Sequence, residues 1–81
     1  MVVLKNIKQQ GNVLSCNYYP ESNDDEKGYI EMNIDNGELL KIDYSPCKYW
    51  KAGYVAHARD GLLKIAQSGK PIPEKYTVMW Y

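Results

Sequence analysis

One histidine, two cysteines and one aromatic and basic tetrapeptide are the residues of this 81-residue chain with the richest chemical repertoire. His57 stands in Tyr54-Val55-Ala56-His57-Ala58-Arg59-Asp60, and Cys47 lies in a stretch without regular periodicity, next to Lys48. A cysteine nucleophile needs a base within hydrogen-bond reach and a third group to orient that base. Cys47 with His57 is the pair that could build a small thiol or hydrolase-like enzyme, Lys48 favouring the thiolate. No nucleophile elbow or other local motif brings the two together, so they read as a partly exposed helix histidine and an unreactive thiol. Metal binding lacks its ligand spacing, since one histidine and two separated cysteines make neither a zinc site nor a disulfide framework. Without an export signal, Cys16 and Cys47 are expected as reduced thiols in a cytoplasmic protein, not as a bridge.

Lys48-Tyr49-Trp50-Lys51 sets two rings between two ammonium groups. Such a cluster could stack a base and hold a phosphate, as weak single-stranded nucleic-acid accessory proteins do. It sits in the basic part of the chain: residues 1–40 carry net −4 and residues 41–81 net +4. The whole protein nevertheless balances ten basic against ten acidic side chains, whereas nucleic-acid domains carry a basic excess. The expected role of Tyr49 and Trp50 is therefore packing across the open end of a helix–sheet core, with Lys48 and Lys51 reaching water. These four, with His57 and Arg59, are the candidate binding residues.

The acidic run Glu21-Ser22-Asn23-Asp24-Asp25-Glu26 lacks the alternating ligands, central glycine and terminal glutamate of a calcium loop, and reads as a solvated, mobile connection. Phosphate-binding glycine loops, catalytic carboxylate pairs and nucleotide fingerprints are missing, so no cofactor and no catalytic residue are expected.

Length and composition set the scaffold that must position these groups. Apolar residues make up 44% and charged residues 25%, the balance of one soluble globular domain. No apolar run reaches membrane-span length, and the first residues lack the apolar core of a secretory signal.

Period-two alternation predicts two hairpins. Val3, Lys5 and Ile7 step against Leu14, Cys16 and Tyr18, with Gln10-Gly11 as a two-residue turn that pairs Ile7 with Leu14 and Val3 with Tyr18. Lys5 then lies on the apolar face and must snorkel out. Ile30, Met32 and Ile34 step against Leu40, Ile42 and Tyr44 around Asp35-Asn36-Gly37. A three-residue loop with Gly37 left-handed pairs Met32 with Leu40 and Ile30 with Ile42.

The period changes to that of a helix between about Ala52 and Ser68, where Tyr54, Val55, Ala58, Leu62, Ile65 and Ala66 share one side. Gly69 and Pro71 stop it. Gly61, at the stripe's edge, would admit close approach to the sheet, and Leu63 is expected as an isolated exposed residue. A last strand from Lys75 to Tyr81 turns Tyr76, Val78 and Trp80 to one face.

The fold class that follows is α+β: an antiparallel four-stranded meander, one covering helix and a fifth strand, in the order ββββαβ across a single domain, 1–81. The fifth strand is expected antiparallel to the first, because a parallel pair with the fourth is the less stable choice. That leaves the fifth strand as an edge guarded only by Lys75. Thr77, Met79 and Tyr81 are the candidate interface for a partner strand or a weak homodimer.

The meander, the helix carrying His57-Ala58-Arg59 and the aromatic end Thr77-Val78-Met79-Trp80-Tyr81 together resemble small uncharacterised bacterial proteins of the Gram-positive type. The resemblance implies no catalytic residue. On residue chemistry alone, the expectation is a small non-enzymatic cytoplasmic binding or accessory protein.

Overall fold

The alternating runs become strands and the three-to-four period becomes a helix. In the computed structural model, which describes residues 1–80, the order is β1 (Val2–Gln10), β2 (Val13–Pro20), β3 (Gly28–Asn33), β4 (Leu39–Asp43), α1 (Lys51–Gln67) and β5 (Lys75–Val78). One five-stranded antiparallel sheet runs β4-β3-β2-β1-β5. The fold is thus α+β as expected, with β5 beside β1 and Val2 paired with Val78. Among the described residues no helix is long and apolar enough to cross a membrane.

α1 covers one face. Val55, Ala58, Leu62 and Ile65 pack on Val2, Leu4, Ile7, Leu14, Cys16, Tyr18, Ile30, Met32 and Val78. Gly61 lies where the helix comes closest: a Cβ there would stand 2.6 Å from Val78 Cγ2 and 3.0 Å from Leu4 Cδ1. After Gln67, Gly69 takes the left-handed conformation expected of a helix stop, at φ 69°.

The first hairpin differs from its sequence reading in register. The two-residue turn is Gly11-Asn12, flanked by the pair Gln10 and Val13, and Leu4, not Val3, stands opposite Tyr18. The cause is a bulge: between the pairs Lys5–Asn17 and Lys8–Ser15, β1 spends two residues against one of β2. Asn6 takes the left-handed conformation at φ 54° and donates its amide to Asn17 Oδ1 at 2.9 Å. The bulge shifts the phase of the alternation. Val2, Leu4 and Ile7 all reach the core, while Lys5 lies on the opposite face. There its ammonium sits 4.8 Å from the centre of the Tyr19 ring and 2.9 Å from Asp24 Oδ1. Hydrogen bonding to Asp24 raises the Lys5 pKa above its ordinary value. The acidic connection is tied down by this pair and by the bond from the Glu21 N–H to the Met1 carbonyl, 2.8 Å.

The second hairpin departs by one residue. Ile30 pairs with Ile42 and Gly37 is left-handed at φ 71°, as expected, but Met32 pairs with Leu39 because a bulge turns Leu40 out to solvent. Leu63, read as isolated, packs partly buried against the core beside the Gly37 turn. The Arg59 guanidinium closes the same contact by donating to the Gly37 carbonyl. β5 ends at Val78, and the interface residue Tyr81 lies outside the described residues.

Candidate binding site

The connection from β4 to α1 crosses one end of the sheet and is anchored from below. Ser45 is its buried polar residue. Its N–H donates to the Tyr18 hydroxyl at 2.9 Å, its own hydroxyl donates to the Glu26 carbonyl at 2.7 Å, and its Oγ accepts the Cys47 N–H at 3.1 Å. Tyr18 is itself buried in the core, with its ring lying over Gly28, so that the glycine leaves room a Cβ would fill. Burial raises the Tyr18 pKa, an effect the Ser45 N–H partly offsets. Tyr18→Phe keeps the ring and deletes the acceptor, leaving a buried N–H without its partner. The expected loss is about 1–3 kcal/mol, read as a lower urea midpoint at constant slope. A change under about 0.5 kcal/mol, the range of neutral surface substitutions, would rule out an anchoring role for this bond.

Above the anchor the chain emerges at Tyr49 and Trp50, which are 79% and 57% exposed. Trp50 is the N-cap of α1, in a left-handed backbone at φ 51°, and no side chain caps the helix there. Its indole folds back onto the first turn, over Gly53, where any Cβ would collide with the ring. From that position Trp50 meets three further rings: Tyr54 at 5.7 Å, His57 at 5.4 Å and Trp80 at 5.9 Å between centroids. His57 and Trp80 stack face to face, 3.9 Å apart with 5° between planes. The Tyr54 hydroxyl donates to Glu21 Oε2 at 2.9 Å, and the same carboxylate oxygen takes the Met1 amine at 2.8 Å. The result is an aromatic end built from the helix start, the residue pair after β5 and the turn after β2.

Of the residues singled out from sequence, Trp50 and His57 come together here, with exposed Lys48, Tyr49 and Lys51 around them. Tyr49 does not pack across the core end as expected, because the left-handed turn at Trp50 sends the chain outward before the helix begins. Trp50 covers the helix start and not the core. Arg59 is committed elsewhere, at the Gly37 turn. Cys47 is buried and its thiol donates to the Tyr49 carbonyl at 3.4 Å, while the His57 ring is stacked on Trp80. No hydrogen bond joins Cys47 to His57 among the described residues, and both cysteines are free thiols. Among those residues no group of histidine, cysteine and carboxylate side chains is arranged to hold a metal ion. Trp80 and Tyr54 escaped the sequence reading as site residues. Their only signal was the density of rings on the faces that turn toward one another.

No family model, no curated protein and no solved structure matches this chain.

Proposed function

We propose that the chain is a small non-enzymatic binding protein that engages a protein partner through its aromatic end, with Tyr49 and Trp50 as contact residues backed by His57 and Trp80. The observation that carries this reading is Trp50. Tryptophan is a poor N-cap, and a non-glycine residue in the left-handed region is strained. Asn, Asp or Ser would serve the helix better, yet here a large ring stands 57% exposed. Strain of that kind persists at sites shaped by binding, and Trp and Tyr are the side chains that most often dominate interface energy. The two free thiols support a reducing, cytosolic setting.

A thiol enzyme is supported less well, since Cys47 is turned to a backbone carbonyl and the His57 ring is occupied by stacking. A nucleic-acid accessory role would use Lys48 and Lys51, but the chain as a whole balances ten basic against ten acidic side chains.

Trp50→Asn tests the reading. Asparagine tolerates the left-handed backbone better than tryptophan, offsetting the lost ring contacts, so stability should stay within about 1 kcal/mol. A photoreactive residue at position 49, in cells making the full chain, is expected to give a discrete protein adduct that Trp50→Asn removes. The same group at Lys8, at the far end of the sheet, should give none. Adducts that survive Trp50→Asn would reject this site. Salt-sensitive quenching of tryptophan fluorescence by a single-stranded oligonucleotide would replace the protein partner with nucleic acid.

A further inference from the structure

We propose that β5 is a dimerisation edge and that its occupant is β5 of a second copy, paired antiparallel about a two-fold axis at Thr77. Among the described residues the sheet ends at β5, which has β1 on one side and no strand on the other. The opposite edge, β4, is ill suited to pairing. It carries the Leu40 bulge and the charges of Lys41 and Asp43, 4.0 Å apart. Lys75 and Thr77 are exposed on β5, and Met79, the first residue after the strand, is 62% exposed beside α1. A two-fold axis at Thr77 sets that threonine against its own copy and Lys75 against Met79 of the second copy. The two lysines stay apart, and the lysine stem lies along an apolar neighbour.

The helix supplies an independent match. A groove of about 410 Å³ runs between α1 and β5, and His57, Asp60, Leu63, Lys64 and Gln67 line its helix side. Gly61 sits directly over β5, within reach of both Val78 and Tyr76, so α1 passes the level of Thr77 close to residue 61. The four polar residues among them are spaced three, four and three, the same read from either end. An axis through Thr77 and perpendicular to the sheet therefore turns His57 toward Gln67 of the second copy and Asp60 toward its Lys64. Each Asp60 meets a Lys64, twice per dimer, and no like charges meet. Self-complementarity of this kind is what an isologous contact requires. Lys64 has no ion-pair partner in the single chain among the described residues, and Asp60 has only the 3.9 Å contact with its neighbour Arg59. The two-fold axis carries the two aromatic ends to opposite ends of the paired strands; His57 and Trp80 belong to both surfaces, but this inference does not rest on the function proposed above.

Sedimentation equilibrium of the full chain tests it. A short strand and one helix side make an interface at the small end of the specific range, so a monomer–dimer equilibrium is expected below about 300 μM. Asp60→Lys and Lys64→Asp should each weaken the dimer about tenfold or more, because each sets like charges face to face. The double variant Asp60→Lys with Lys64→Asp exchanges the two charges and should recover to within about threefold of the original. Met79→Lys, which sets two ammonium groups across the strand pair, should leave the protein monomeric with an unchanged far-UV spectrum. A protein that stays monomeric throughout that range would overturn the proposal. So would a dimer that ignores Asp60→Lys, a double variant no better than either single one, or amide protection on β4 in place of β5.

Discussion

Gly61→Ala is expected to destabilise the protein by about 1–2 kcal/mol, although alanine is the better helix former by about 1 kcal/mol. Two effects of opposite sign compete at this position. Propensity favours the methyl group wherever a helix is free to accept it. Here the methyl would stand 2.6 Å from Val78 Cγ2 and 3.0 Å from Leu4 Cδ1, inside a core that also seats Leu62 and Ala58. Val78 is β-branched and paired in the ladder with Val2, so it has little freedom to swing aside. Relief must come from lifting the helix, which opens contacts along its whole buried stripe. Overpacking of this kind typically costs 1–3 kcal/mol, or about that order, and outweighs the propensity gain. Gly53→Ala is the control. The atoms nearest a Cβ there belong to the Trp50 indole, a half-exposed ring that can move out into water. That variant should remain within about 1 kcal/mol of the original while shifting the tryptophan emission. Thermal and urea unfolding of both decide the matter. A Gly61→Ala protein more stable than its parent would mean that the helix is not in close contact with β5.

Stability should fall steeply in alkali, and Cys16 should be a principal cause. Cys16 is fully buried in the core, and burial pushes its pKa from 9.0 up to about 12. The raised value means that the folded state keeps the neutral thiol longer than the unfolded chain does. Below pH 9 both states hold the proton and the contribution is fully present. Between pH 9 and 12 the unfolded chain ionises and the native one does not, so each pH unit removes about 1.4 kcal/mol, roughly 4 kcal/mol in all. Tyr18, its pKa also raised by burial, adds in the same direction at the upper end of the window. For a domain of this size that loss is a large part of the total. Cys16→Val keeps an apolar side chain of similar size and removes the titration. Its urea midpoint should decline much less between pH 9 and 11 than that of the parent, whatever its value at pH 7. Parallel pH profiles for the two proteins would show that Cys16 is not responsible.

Local rules, acting over a few residues, were enough to specify the elements and much of their order. Alternation in Leu14-Ser15-Cys16-Asn17-Tyr18 and in Ile30-Glu31-Met32 selects strands, because burial on one face of a sheet has period two. Tyr54 to Ala66 selects a helix for the corresponding reason, and Gly69 with Pro71 ends it through backbone geometry. The left-handed Gly37, the close approach at Gly61 and the placement of β5 beside β1 follow from the same reasoning. The tertiary structure decided what depends on phase and on distant partners. Asn6 inserts one residue into β1, and a period-two pattern carries no mark of where its phase slips. Lys5 therefore read as a core-face residue, until Asn17, Tyr19 and Asp24 supplied partners that rewarded the bulge. Leu39 and Leu40 are chemically equal claimants to the place opposite Met32, and only packing against the core chose between them. The aromatic end was the least legible feature: Trp50, Tyr54 and His57 follow the helical spacing of four and three, but Trp80 comes from the segment after β5 and no local period links it to them. They meet because the Ser45 anchor sets the height of the loop, the left-handed turn at Trp50 folds the indole back over Gly53, and β5 delivers Trp80 to the start of the helix.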